Sequence, residues 1–205
     1  MCDTRRMPVK AKPNPPRAAR RDAVANREKI LRTAAELMAR RGHNVPLTEI
    51  ADAAGVGVGT FYRGFPDREA LLDELQRRGY DVCLSILAQI RADELTGADA
   101  IEAYLHRCHD ASDELVAMPL RGVEPLPDAA AIETKYRILE QIQQFLDEGR
   151  ADQSLRADVA AMDVVVFSTM MATPLPHGPD WPTTSRRLIS IFVRGIQTTH
   201  SHRNS

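Results

Sequence analysis

The sequence predicts an all-α fold, and three observations lead to that prediction. Apolar residues recur at three- and four-residue spacing along most of the 205-residue chain, as they do on one face of an α-helix. The single apolar run that could form a buried strand, at 164–166, has no second candidate strand to pair with. Charge divides the chain, because residues 1–70 hold 14 basic and 8 acidic residues whereas the remainder holds 13 and 20. We therefore expect two helical regions, the first with a net charge of about +6 and the second of about −7.

Composition narrows the class of protein. A hydrophobic share of 43% is ordinary for a globular chain. No run of about 18 apolar residues is present, and the N-terminus lacks the apolar core of a secretory signal, so we expect a cytoplasmic protein. Cys2, Cys83 and Cys108 are far apart and show no C-x-x-C spacing. We expect free thiols rather than a disulfide framework or a structural zinc site.

Residues 1–22 are predicted to be a disordered basic arm, because prolines alternate there with basic residues. The basic residues of this arm are Arg5, Arg6, Lys10, Lys12, Arg17, Arg20 and Arg21. Two interpretations stay open: a solvated tail, or an arm that follows the DNA backbone or enters a minor groove. Under the second, we expect contacts from the residues nearest the first helix, namely Arg17, Arg20 and Arg21.

The first helix is predicted over 23–41, and Gly42 should end it. Its buried face is predicted from the helical spacing of Ile30, Leu31, Ala34, Leu37 and Met38. This helix would be the scaffold against which the next two helices pack.

A helix, a glycine turn and a second short helix follow between 47 and 65. The first carries an apolar face made by Leu47, Ile50, Ala51 and Ala54. Gly55 stands where a left-handed residue ends a helix, and Val56 supplies an apolar residue for the corner between the two helices. The next helix, at 58–65, would turn Phe61 and Phe65 inward. Its outward positions are then Val58, Gly59, Thr60, Tyr62 and Arg63.

This segment resembles the signature of the TetR family of bacterial one-component regulators. Residues 50–71 match the pattern I-A-x-x-A-G-V-x-x-G-T-F-Y-x-x-F-x-x-R-E-A-L without a gap. The resemblance implies an N-terminal three-helix helix-turn-helix DNA-binding domain plus a larger C-terminal helical ligand-binding and dimerisation domain. We assign 23–69 to the first domain and 70–205 to the second. A helix-turn-helix used only for packing is the alternative.

The resemblance and the outward positions together indicate the DNA-binding residues. Arg63 can donate two hydrogen bonds to guanine, and Thr60 can contact a thymine methyl group or a phosphate. Tyr62 and Arg68 resemble the phosphate contacts of the family, and Thr48 on the preceding helix can add a base or backbone contact. Val58 and Gly59 lie on the same face but offer no side-chain hydrogen bond, so direct base contacts should be sparse.

Five further helical segments are predicted after Pro66. The fourth helix begins at Arg68, after a capping Asp67, and is long enough to join the two domains, with a bend at Gly79. Helical patterns follow at 98–118, 128–149, 159–171 and 183–199, separated by proline-marked loops at 119–127 and 174–182.

Two functions are expected of the C-terminal domain. The resemblance implies that the last two helices form a four-helix bundle with a twofold mate, through Val164, Phe167, Met171, Leu188, Phe192, Gly195 and Ile196. A small apolar or amphipathic effector is expected against Tyr104, Cys108, Tyr136, Met170 and Met171, although each of these could simply be core.

Other classes of site and function have weaker support. His106, Cys108 and His109 lie close in sequence, but Cys108 points away from the face that the two histidines share, so no metal site or other cofactor is expected. An enzyme would need an activated nucleophile, and His106 with Cys108 or Ser112 is a thin basis for one.

The sequence predicts a homodimeric regulator of a palindromic operator, most simply a repressor released by its ligand. A DNA-binding structural protein without an effector is the alternative, and an activator would look the same in sequence.

Overall fold

The computed structural model of the chain describes residues 17–42, 44–117, 128–172 and 180–198, with 17–20 described by their backbone alone. The described residues form eight α-helices and no multi-residue strand, which confirms the all-α prediction. In chain order these are α1 (Arg17–Arg41), α2 (Leu47–Ala53), α3 (Val58–Gly64), α4 (Arg68–Ala92), α5 (Gly97–Asp110), α6 (Ala129–Ala151), α7 (Ala161–Met171) and α8 (Trp181–Ile196). None of these helices is both long and apolar enough to cross a membrane.

The first three helices and the start of α4 surround one hydrophobic core. Gly42 ends α1 with a φ of 77°, and Gly55 turns the chain after α2 with a φ of 62°, both in the left-handed region that favours glycine. Asp67 caps α4 by accepting a hydrogen bond from the backbone N–H of Ala70 at 2.8 Å. The fully buried residues of this core include Ile30, Met38, Ile50, Phe61, Phe65, Leu71 and Leu75.

The fourth helix belongs to two cores. Leu71, Leu72 and Leu75 pack in the N-terminal core, whereas Tyr80 and Leu87 pack in the C-terminal core. The prediction that one long helix joins the two regions is therefore confirmed. The domain boundary at 69/70 stays a prediction, and so does a bend at Gly79.

A second connection between the two cores was not predicted. Helix α5 ends at Asp110 rather than near residue 118, and turns follow from 111 to 116. Leu115 then packs in the C-terminal core, while Val116 and Ala117 pack in the N-terminal core. The predicted loop at 119–127 lies outside the described residues.

The four helices α5 to α8 and most of α4 form the C-terminal region. The nearly all-apolar run at 159–171 is helical from Ala161, in agreement with the choice of helix over strand. The last helix begins at Trp181, with Pro182 in its first turn, where proline is well tolerated. Most of the loop predicted at 174–182 lies outside the described residues.

The first helix starts earlier than predicted. It begins at Arg17, directly after Pro16, and no glycine or proline interrupts the residues up to the predicted start near position 23. The prediction of a disordered arm is therefore wrong for residues 17–22, and the rest of the predicted arm lies outside the described residues.

Candidate functional site

Helix α3 presents an exposed face that carries the predicted DNA-contacting residues. Phe61 and Phe65 are fully buried, so their side of α3 faces the core, as predicted. The opposite face exposes Val58, Gly59, Tyr62 and Arg63, with Thr60 half-buried beside them. Tyr62 is 41% exposed, and its ring contacts the buried Phe61 ring edge-on, with the ring centres 5.6 Å apart. Thr48 on α2 is exposed as well.

Helix α3 is held at its C-terminal end by Arg27 of α1, a residue that the sequence analysis missed. The Arg27 guanidinium donates to the carbonyl oxygen of Gly64 at 3.1 Å and lies 4.4 Å from the centre of the Phe65 ring. It also pairs with Glu74 of α4 at 3.1 Å. One side chain thus joins α1, α3 and α4, and nothing in the local pattern distinguishes it from the other basic residues of α1.

Arg68 was predicted to contact a phosphate, and it also has a contact within the protein. Its Nη2 donates to the carbonyl oxygen of Val45 at 2.7 Å, and the side chain is half-buried. This bond joins the first turn of α4 to the chain just before α2. A phosphate contact of Arg68 stays a prediction.

The basic residues at the start of α1 occupy its first two turns. Arg21 is exposed on this helix, while the side chains of Arg17 and Arg20 lie outside the described residues, as do the residues before them. Any contact of these residues with DNA would be made from a helix, in contrast to the extended arm that the sequence predicted.

An apolar cavity of about 220 Å³ lies in the C-terminal region. Its walls come from α4, α5, α6 and α7, and each of these helices contributes at least one polar side chain. Gln76 donates from its side-chain nitrogen to the Tyr80 hydroxyl oxygen at 2.9 Å along one wall. The full lining consists of Gln76, Tyr80, Cys83, Tyr104, Lys135, Ile138, Leu139, Val165, Val166, Thr169 and Met170.

Only two of the five predicted ligand residues line this cavity. Tyr104 forms a section of its inner wall, and Met170, which is 60% exposed, stands where the cavity meets the surface. The other three do not line it, and their contact with a ligand stays a prediction. Cys108 and Met171 are buried in the core beside it, and Tyr136 is 67% exposed on the outer face of α6. On α6 the lining side chains are Lys135, Ile138 and Leu139, because Tyr136 points to another side of the same helix.

The two described cysteines differ in their position at the cavity, because Cys83 belongs to its lining and Cys108 does not. Cys83, Cys108 and Tyr104 lie close enough together to shift one another's pKa. The neighbouring Cys108 lowers the pKa of the Cys83 thiol despite its burial. The neighbouring Cys83, together with burial, raises the pKa of Cys108 well above its ordinary value. Both residues are free thiols, as predicted.

The histidines near Cys108 point to separate partners. His109 hydrogen-bonds to the Ser185 hydroxyl at 3.1 Å, and burial lowers its pKa. His106 lies 3.8 Å from Glu102 on the same helix. Within the described ranges, no three metal-ligating side chains come together.

Helices α7 and α8 share a partly exposed aromatic contact. Phe167 and Phe192 stack with their ring centres 4.0 Å apart and their planes 10° from parallel. Leu188 is half-buried one turn before Phe192, and Ile191, which the sequence analysis did not select, is 49% exposed. A Cβ added at Gly195 would meet nothing within 4 Å. These residues leave an apolar face, here called the α7–α8 face, made by Phe167, Leu188, Ile191, Phe192 and Gly195.

Three predicted dimer contacts do not belong to the α7–α8 face. Val164 is fully buried, and Met171 and Ile196 are each 7% exposed within the same core. These residues are core in the single chain, contrary to the prediction, because helical spacing shows which side of a helix is apolar but not whether its own chain or a partner packs against that side.

Comparison with known proteins agrees with this arrangement. Residues 30–75 match the family model of the bacterial regulatory proteins of the tetR family. The chain is 29% identical over 194 residues to the HTH-type transcriptional repressor KstR2 of Rhodococcus jostii (strain RHA1), covering 85% of this chain and 93% of that protein. It is 31% identical over 87 residues to an HTH-type transcriptional regulator of Staphylococcus aureus (strain USA300), covering 42% of this chain and 47% of that protein.

Solved structures show the same fold. A TetR transcriptional regulator of Streptomyces coelicolor is 27% identical, with a TM-score of 0.56 over 84% of this chain and 99% of that chain. The ketosteroid transcriptional regulator KstR2 of Mycobacterium tuberculosis is 19% identical, with a TM-score of 0.62 over 84% and 95% of the two chains. The relatives are transcriptional regulators and not enzymes. With the helix-turn-helix geometry of α2 and α3, these similarities identify residues 30–75 as a tetR-type DNA-binding region, and the chain as a whole is similar to transcriptional regulators of the TetR family.

Proposed function

We propose that the protein is a homodimeric repressor that binds a palindromic operator and is released from it by a small apolar or amphipathic molecule. The observation that carries this proposal is the cavity of about 220 Å³, whose wall includes Gln76 and Tyr80. These residues directly follow the segment of α4 that packs in the DNA-binding core. A molecule in the cavity therefore touches the helix that holds the DNA-binding domain. Repression is supported by the R. jostii relative, which is itself named a repressor.

The size and lining of the cavity define the effector. A dry apolar cavity of about 150 Å³ is large enough for benzene, so a volume of about 220 Å³ suits a two-ring compound or a chain of similar bulk. The lining is mostly aliphatic and aromatic, which favours an apolar body. The Tyr80 and Tyr104 hydroxyls can orient one polar group of the effector, and Lys135 adds a positive charge to the lining.

The dimer follows from what a single α3 can contact. One short recognition helix contacts few bases. Two recognition helices related by a twofold axis contact two half-sites, whose centres lie one DNA turn of about 34–36 Å, or a multiple of it, apart. Regulators of this family act as dimers. The α7–α8 face is the surface we assign to that contact, since Ile191 is exposed and Phe167, Leu188 and Phe192 are only half-buried in the single chain.

The proposed mechanism is a shift between two conformations. The effector binds better to a conformer whose two α3 helices no longer match the half-site spacing, and α4 with the 115–117 segment transmits the change. A coupling free energy of about 1–3 kcal/mol would lower operator affinity roughly 5- to 150-fold.

Selection of bound duplexes from a random library tests the DNA-binding half of the proposal. We expect an enriched palindrome at near-physiological salt. Arg63→Ala should relax preference at one base pair of each half-site and cost about 1–3 kcal/mol of affinity for the selected sequence. Arg137→Ala, an exposed arginine on α6, is the matched control and should leave binding unchanged. Binding without an enriched motif and with steep salt dependence would instead favour a structural DNA-binding protein.

A thermal-shift screen of small apolar compounds tests the effector half. We expect a compound that raises the Tm of the parent protein and lowers operator affinity. Val165→Phe, which fills some of the cavity, should abolish the Tm shift while keeping the fold. A compound that raises Tm through the cavity but leaves operator affinity unchanged would contradict the release mechanism.

A further inference from the structure

Helices α4 and α6 run in the same direction along the cavity, as two ion pairs show. Arg77 in the first half of α4 pairs at 2.8 Å with Asp128, the residue that caps the start of α6. Arg91 near the end of α4 pairs at 2.6 Å with Glu148 near the end of α6. The first lining residues of the two helices therefore lie toward the same end of the cavity, which is the end nearer the DNA-binding core.

Polar side chains occupy this end on both helices. Gln76 is the first lining residue of α4, directly after Leu75 of the N-terminal core, and it is only 1% exposed. Its side-chain nitrogen donates to the Tyr80 hydroxyl oxygen at 2.9 Å, which holds that hydroxyl at the same end. On α6 the first lining residue is Lys135. The lining thus begins with an amide, a phenol and an ammonium group.

The rest of the lining on these two helices is apolar or nearly so. One turn further along, α4 contributes Cys83, and α6 contributes Ile138 and Leu139. The spacing of three and four residues places these side chains on the same faces of the helices as the polar ones. A ligand that fits both parts has a polar group at one end and an apolar body at the other.

Lys135 decides which polar group fits best. Among the described residues that line the cavity, Lys135 carries the only formal charge, and none of them is acidic. Its side chain is half-buried, so its ammonium group interacts with a ligand across a medium less polar than water. An anion buried without a cationic partner is strongly disfavoured, whereas an anion beside this ammonium group is favoured.

We propose that the effector is an organic acid whose carboxylate lies against Lys135 and the Tyr80 hydroxyl, and whose ring system fills the apolar part of the cavity. This inference rests on the proposed function, because it names the class of molecule that would occupy the effector cavity. A carboxylate accepts hydrogen bonds from both an ammonium group and a hydroxyl. Gln76 is a positioning residue, since it holds the Tyr80 hydroxyl in place.

The position of the carboxylate gives the effector access to the joint between the two cores. Tyr80 and Gln76 follow within about one turn of Leu75, which packs in the DNA-binding core. An acid bound at this end interacts with the turn of α4 that enters that core. A neutral molecule in the apolar part alone would touch α4 one turn further away, at Cys83.

Calorimetric titration of the full chain, without DNA and at neutral pH, tests the proposal. The probes are naphthoic acid and its uncharged amide, because the two have nearly the same shape and differ in charge. Their two rings suit a volume of about 220 Å³, since benzene fits one of about 150 Å³. We expect the acid to bind roughly tenfold more tightly than the amide.

Variants at Lys135 assign the preference to its charge. Lys135→Met keeps an unbranched side chain and should lower affinity for the acid about tenfold while leaving affinity for the amide within about twofold. Lys135→Arg should keep the preference for the acid. Arg137→Met is the matched control, because it removes a positive charge from an exposed position of the same helix outside the lining. Retained binding of the amide shows that each variant still has an intact cavity.

A variant at Tyr80 tests where the carboxylate lies. Tyr80→Phe should lower affinity for the acid roughly fivefold, because it removes a hydrogen-bond donor and keeps the ring. Affinity of this variant for the acid equal to that of the parent protein would overturn the position assigned to the carboxylate.

Three outcomes would overturn the proposed class of effector. These are equal affinity of the parent protein for acid and amide, an equal effect of Lys135→Met and Arg137→Met, and failure of both compounds to bind. Operator affinity is measured separately, with and without the acid. An acid that binds through Lys135 but leaves operator affinity unchanged would contradict the proposed release mechanism and not the preference of the cavity for acids.

Discussion

At the scale of single residues, Arg27 and Arg68 show how contacts within the protein restrain the helices that carry the DNA-binding residues. Each reaches across helices to a backbone carbonyl, Arg27 to Gly64 at 3.1 Å and Arg68 to Val45 at 2.7 Å. Hydrogen bonds from a charged donor are stronger than neutral ones. These two bonds therefore restrain α3 and the turn before α2, and the orientation of Arg63 and Tyr62 depends on them.

Arg68→Ala should lower both stability and DNA affinity. Losing the bond to a partly buried carbonyl should lower the free energy of unfolding by about 1–2 kcal/mol. Affinity should fall alike for all sequences, because a phosphate contact carries no sequence information. Urea unfolding and the salt dependence of binding are the two measurements. Arg63→Ala is the matched control and should change stability by less than about 0.5 kcal/mol, since that side chain is exposed.

An unchanged unfolding free energy would show that the Val45 contact contributes nothing. A salt slope lower by about 1 with unchanged stability would identify Arg68 as a phosphate contact only.

At the scale of helices, the turn between α2 and α3 depends on Gly55. Its φ of 62° lies in the left-handed region, and the backbone N–H of Val56 donates back to Ala51 across the turn at 3.0 Å. The spacing in the sequence alone predicts this turn, because a left-handed residue after a short amphipathic helix is a local requirement.

Gly55→Ala should lower the free energy of unfolding by about 1–3 kcal/mol, the cost of holding a residue with a Cβ in this conformation. An added Cβ would also lie 3.2 Å from the Lys29 Nζ, although that flexible side chain can move. Gly59→Ala is the matched control, because its Cβ would meet nothing within 4 Å and alanine favours a helix by about 0.5–1 kcal/mol. Equal thermal unfolding of the two variants would contradict the requirement for glycine at Gly55.

At the scale of the whole molecule, two cores meet at α4 and at the segment 115–117. The C-terminal helices therefore connect to the DNA-binding core at separate places, through Leu75 and Gln76 on α4 and through Val116 after α5. The α7–α8 face lies on the C-terminal helices, so an assembly through it would leave α3 exposed for DNA.

Ile191→Asp should weaken the homodimer at least about tenfold, because it places a charge within the proposed contact. Tyr136→Asp is the matched control, since Tyr136 is more exposed than Ile191 but lies on α6 and is not one of the residues that make the α7–α8 face. Sedimentation equilibrium of both variants gives the comparison. If the Ile191 variant forms a dimer as tight as that of the parent protein, the α7–α8 face is not the dimer interface.

The sequence by itself determined the all-α class, the helix-turn-helix and the exposed face of α3, because each depends on neighbours within about two turns. Helical periodicity, the glycine at the turn and the inward Phe61 and Phe65 are all local. The tertiary structure decided the cavity and the two connections between cores, since these join residues as distant as Gln76 and Met170. A pattern in one helix shows that a side is apolar but not what faces it, which is why Val164 was assigned to a dimer contact and Cys83 to no site at all.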